Sequence, residues 1–130
     1  MKKLSILLVV ILISGIVFFF FSERKTTSVI DVHYNGRTAQ VIVDELPFTD
    51  SGKLKWWLDS EGEILQKYKI PSGDAGPFLI TVYAFGDGYK EEGKEDRRCF
   101  DDITPPRNCL DKNRLMTIWR TRKGSVKYDF

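Results

Sequence analysis

Histidine is almost absent from this chain: His33 is the one imidazole in 130 residues. Cysteine is nearly as scarce, with Cys99 and Cys109 alone. Two thiols and one imidazole fall short of the four ligands that a structural zinc site takes. The cysteines are also too far apart for the C-x-x-C of a redox pair. Excess charge is missing too, with 20 basic residues against 18 acidic ones. Lys2 and Lys3 account for the difference, so the chain beyond them is neutral, 18 against 18. Whole-domain charge therefore gives no reason to expect nucleic-acid binding. There are no internal repeats and no low-complexity tracts. Aromatic residues make up 13% of the chain, which excludes a disordered tail.

What the chain does have is one long apolar run. Residues 4–21 are Leu, Ile, Val and Phe, interrupted only by Ser5, Ser14 and Gly15, with no charge. Its 18 residues would span about 27 Å as a helix, close to the thickness of a bilayer's hydrocarbon core. Lys2, Lys3, Arg24 and Lys25 flank it and can reach the headgroups. A cleaved signal peptide would have a shorter apolar core followed by small residues. Here Phe18-Phe19-Phe20-Phe21 closes the run and no small-x-small step follows. We expect an uncleaved anchor at 1–21, a linker at 22–27 and one α+β domain at 28–130. Basic side chains are tied across the segment, and the short N-terminal tail and its amine favour a cytoplasmic N-terminus. That orientation puts the domain in an oxidising space, where Cys99 and Cys109 would form a structural disulfide.

Within the domain, Asn35-Gly36 is a preferred pair for a two-residue hairpin turn. In that register Val32 faces Ala39, Ile30 faces Val41 and His33 faces Thr38. One side would then be core and the other, with Asp31 and His33, mostly wet. Leu46-Pro47-Phe48 ends the hairpin, and Thr49, Asp50 and Ser51 offer N-cap oxygens. Residues 50–69 read as a helix with the stripe Leu54, Trp57, Leu58, Ile64, Leu65 and Tyr68. Gly62 is a point where it could bend, and Pro71 stops it. Residues 78–85 read as a central strand apolar on both faces. Residues 90–98 show no usable periodicity, and the stretch between the cysteines contains Pro105-Pro106 and reads as irregular. A last hairpin around Lys123-Gly124 would set Trp119 against Tyr128. The resulting order is β-β-α-β-β-β, one helix on a mostly antiparallel sheet.

Several stretches occur together in this order: Pro47-Phe48-Thr49-Asp50-Ser51-Gly52-Lys53, Trp56-Trp57-Leu58, Phe85-Gly86-Asp87-Gly88-Tyr89-Lys90, Cys99-Phe100-Asp101-Asp102 and Cys109-Leu110-Asp111-Lys112-Asn113. The set resembles an enterobacterial family of short putative membrane proteins classed as a domain of unknown function. The resemblance runs over most of the chain, anchor included. It implies a Gram-negative envelope protein with a periplasmic domain, and it carries over no activity and no catalytic residue.

Four constellations bear on chemistry. Asp31 and His33 share a strand face, and a carboxylate beside an imidazole can orient a general base. No nucleophile is marked by spacing, and the plain alternative is two solvated residues, in which case replacing His33 would leave folding and activity intact. Asp87 with Glu91, Glu92, Glu95 and Asp96 is acidic, but lacks EF-hand spacing and is diluted by Lys90, Lys94, Arg97 and Arg98. We expect no metal and no cofactor. Residues 103–128 carry seven bases and one acid, a net charge of +6, whereas residues 87–102 carry seven acids and four bases, a net of −3. In the expected register Arg120, Arg122 and Lys127 share one face, suited to an acidic protein or anionic headgroups unless it merely solubilises. Trp56 adjoins Trp57, and at about 100° per residue both cannot sit in the core stripe. Trp56 would lie at its edge or exposed, as a partner anchor.

These readings describe a single-pass bacterial inner-membrane protein. Its anchor, residues 4–21, sits in the lipid bilayer, and its periplasmic domain binds another protein. No arrangement argues for an enzyme. The sharpest version is an immunity-type protein that neutralises a toxin. The alternatives are a structural or assembly subunit of an envelope complex, or an enzyme using Asp31 and His33.

Overall fold

The computed structural model describes residues 2–23 and 26–130. The apolar run forms one helix, α1 (Lys2–Glu23), long enough at about 33 Å to cross a bilayer. None of Lys2–Phe19 is buried, although the segment is apolar on every side. Length and composition make it a candidate membrane span. Arg24 and Lys25, the distal flanking bases, lie outside the described residues.

The domain that follows runs β1 (Val29–Tyr34), β2 (Thr38–Val43), α2 (Asp50–Lys67), β3 (Leu79–Ala84), β4 (Arg97–Cys99), β5 (Cys109–Asp111), β6 (Arg114–Arg120) and β7 (Val126–Asp129). Five strands make one mixed sheet in the order β1-β2-β3-β6-β7. The β2–β3 pair is parallel, because α2 carries the chain back across the sheet, and the other pairs are antiparallel. The expected β-β-α-β-β-β order lacked β4 and β5. These three-residue strands pair with each other and close on the bond between Cys99 and Cys109. Arg97 and Arg98 carry no apolar alternation, so only tertiary contacts reveal them as a strand.

Thr49 caps α2, its hydroxyl accepting from the Gly52 amide. The helix runs unbroken through Gly62. It buries Trp57, Ile64 and Leu65 against Ala39, Val41, Val43, Ile80, Val82, Met116 and Ile118. Leu58, assigned to the stripe, is 56% exposed. The other sheet face is not wet. There the arm of β4 and β5 lays Phe100 and Leu110 over Ile42, with Tyr83, Phe85, Tyr89 and Ile103 around them.

Both hairpin registers differ from those expected, for one reason: the turns sit elsewhere. In the first, Val32 pairs with Val41 and His33 with Gln40, a shift of two residues that leaves the faces unchanged. Gly36 adopts φ 92° whereas Asn35 does not, so Gly36-Arg37 are the central pair. The Asn35 side-chain oxygen holds them by accepting from the Arg37 and Thr38 amides. In the second hairpin the loop has three residues and Gly124 takes the left-handed position, φ 86°. One extra loop residue exchanges faces: Tyr128 pairs with Ile118, and Trp119 with Lys127.

Strand direction defines two ends. Where the chain arrives from α1, Ser28 and Asp44 bond to each other through both amides. The starts of β1 and β6 and the C-terminal ends of β2 and β3 lie at this end, where α1 leads in; β7 stops at mid-sheet, Asp129 pairing with Thr117. The far end holds the Gly36 turn, Phe78 and the Gly124 loop, joined by the Phe78 amide to Arg37 and the Arg120 amide to Phe78.

Candidate functional site

His33 sits under the arm, 4% exposed. Its ring stacks on Phe100 at 3.9 Å and 15°. Nδ1 lies 2.8 and 2.7 Å from the two carboxylate oxygens of Asp102. Nε2 lies 2.9 Å from the Tyr89 hydroxyl, which itself donates to Asp31 at 2.5 Å. With the phenol proton committed to Asp31, the phenol oxygen is left to accept from Nε2. Each ring nitrogen thus has an oxygen partner within hydrogen-bond distance. The Tyr89 phenol is pushed well above its ordinary range, first by burial, then by its bond to Asp31 and the charges of Asp31 and Asp102. A cavity of about 150 Å³ opens beside the ring, bordered by Asn35, Gln40, Arg98 and Asp101.

The expected wet-face placement of Asp31 and His33 is therefore corrected. The two are adjacent, Nε2 to Oδ2 at 3.4 Å, but His33 is enclosed and Tyr89 bridges them. Both ring nitrogens are engaged, which suits a clasp holding the arm to the sheet better than a free base. Tyr89 and Asp102 escaped the sequence reading because they lie 56 and 69 residues from His33. No local spacing connects them.

At the far end, Asp74, Gly76, Phe78, Arg120, Thr121, Arg122 and Gly124 line a cleft of about 380 Å³. Phe78 is 55% exposed there. Arg120 reaches only a loose pair with Asp74, 3.8 Å away on a fully exposed side chain. Arg120 and Arg122 are thus brought to one site, but Lys127 is not. Its register partner is Trp119, on the sheet face opposite Ile118 and Arg120. The expected three-residue basic face fails on that single loop residue. Trp56 is half-buried against the main core, tilted on Trp57 at 6.1 Å, and so lies at the edge of the stripe.

Residues 87–102 and 103–128 are joined by three ion pairs, of which only Lys112–Asp96 sets a base of the second stretch against an acid of the first. Lys112 bonds Asp96 at 2.7 Å, while Lys90 and Arg97 both bond Asp111. The hydrogen bond from Lys90, then that from Arg97, holds the Asp111 carboxyl below its usual range. Among the described residues no three carboxylate, thiol or imidazole groups converge as a metal site.

Over residues 1–130 the chain matches the model of a family described as enterobacterial putative membrane protein (DUF943). It belongs to that family. The motifs quoted for the resemblance acquire places in this DUF943 chain. Gly88-Tyr89-Lys90 and Cys99-Phe100-Asp101-Asp102 build the arm and its clasp on His33, and Pro47 and Thr49 shape the start of α2. Neither a curated protein nor a solved structure matches the chain.

Proposed function

We propose that this DUF943 protein is a single-pass inner-membrane protein whose periplasmic domain binds another protein through its far end, and that it is not an enzyme. The observation that carries the reading is the cleft of Phe78, Arg120 and Arg122, at the end of the sheet remote from the anchor. An exposed aromatic beside two guanidiniums is the composition of an interface centre. Export is supported by the disulfide, which joins strands too short to persist unaided. The non-catalytic reading is supported by His33, whose nitrogens are both occupied. In its sharper form, the partner is an incoming toxin that the domain neutralises.

The test is photocrosslinking in intact cells, with p-benzoylphenylalanine replacing Phe78. A discrete protein adduct, lost when Arg120 and Arg122 are reversed to Glu, is the expected result. An adduct unchanged by the reversal would refute the cleft. Identification of the adduct separates the two partner classes: an envelope subunit favours assembly, and a secreted toxin favours immunity. External protease should digest the domain in spheroplasts while α1 stays with the membrane. A mature chain lacking residues 1–21 would overturn the anchor.

A further inference from the structure

The anchor end carries an unexplained aromatic. Phe48 is 96% exposed, although burying an aromatic ring is among the largest apolar gains available to a domain this size. Its exposure is not that of a loose loop. Pro47 on one side packs so closely on the first turn of α2 that a Cβ at Gly52 would lie 2.8 Å from the Pro47 Cβ. Thr49 on the other side is the N-cap, bonded to the Gly52 amide at 3.0 Å. Phe48 is held outward between two fixed neighbours. Ile30, 42% exposed, lies at the same end of the sheet, near the start of β1.

The tether says what faces this end. Six residue steps separate Glu23, the last residue of α1, from Val29, the first of β1. Fully extended they reach about 20 Å. Ser28 is bonded to Asp44 in both directions, and Phe48 follows four residues later. With α1 across the bilayer, Phe48 can stay within reach of the headgroup layer, about 6 Å deep on each side. Aromatic rings accumulate in that layer because they are apolar and tolerate its polar surroundings.

We infer that Phe48 seats the domain on the surface of the membrane that α1 spans. The inference rests on the anchored reading and gives the domain a fixed posture, with the anchor end on lipid and the Arg120 cleft facing away. Asp44, Glu45 and Asp50 surround Phe48 in sequence, so the contact is an apolar insertion and not an attraction to anionic lipid.

The full-length protein tests this in intact cells, with p-benzoylphenylalanine placed singly at Leu12, Phe48 and Lys123. Lipid adducts are expected at 12 and 48, several-fold above those at 123, which is at the far end. Protein adducts alone at 48, or a lipid yield no higher than at 123, would overturn the seating while adducts at 12 keep the anchor. Absence of lipid adducts at 12 would remove the anchor and the seating together. Phe48→Ser provides a second readout. It should leave the melting temperature unchanged and raise external trypsin cleavage at Arg24 and Lys25 several-fold. Unchanged cleavage counts against the seating.

Discussion

Replacing His33 by Ala should cost far more than its place on an outer strand suggests. The ring is 4% exposed and stacks on Phe100 at 3.9 Å, an arrangement worth about 0.5–1.5 kcal/mol beyond its area. Its bonds to Tyr89 and Asp102 add about 0.5–1.5 kcal/mol each. The Asp102 side chain is 60% exposed and can return to water, so its share belongs at the bottom of that range. Tyr89 keeps Asp31 as its acceptor. We expect a total of about 1.5–3.5 kcal/mol, out of the roughly 5–15 kcal/mol that holds a small domain together. For a domain of this size that lowers the melting temperature by about 10–20 °C. Near-ultraviolet circular dichroism of the full-length protein in detergent, heated with and without the substitution, measures it. Asp102→Asn should cost less, because its amide oxygen still accepts from Nδ1. The double mutant should fall short of the sum, since both changes release the same clasp. A fall for His33→Ala under about 4 °C, near 1 kcal/mol on the same scale, would refute the clasp.

Other consequences follow from the same geometry. Cys99→Ser and Cys109→Ser should each lower the melting temperature, the double mutant being no worse than either single. The bridge closes a loop with a separation of 10 residues, worth roughly 3 kcal/mol of chain entropy. Thiol labelling of the protein taken from cells without reductant should find neither cysteine free. Reversing Arg120 and Arg122 to Glu should weaken partner binding by roughly tenfold, about 1.4 kcal/mol. Lys127→Glu should leave binding intact, because it sits on the other sheet face; equal effects in a titration of the isolated partner would contradict the register. In alkali, the Tyr89 phenol ionises in the unfolded chain near 10.0 and only at higher pH in the folded one. Its contribution is therefore whole below that value and is lost as pH rises toward the folded one. Ultraviolet difference titration should show a strongly delayed phenol that Tyr89→Phe removes, and Asp31→Asn should bring it part of the way back.

The sequence by itself determined the elements whose physics is local. Residues 4–21 could only be an apolar helix, because eighteen uncharged residues admit no polar face. Thr49, the Trp57-to-Leu65 spacing and the apolar run of β3 gave α2 and the central strand through capping and periodicity alone. The resemblance motifs led to the right family because they run along most of the chain. Tertiary structure alone decided what depends on counting loop residues and on distant partners. A three-residue loop at Gly124, not a two-residue one, moved Lys127 away from Arg120, because side chains alternate with a period of two. The arm closed over His33 because Phe100, Asp102 and Tyr89, far away in sequence, found a stack and two bonds there. A face that local alternation left in water became a second core, since alternation describes one strand and says nothing of what is later laid upon it.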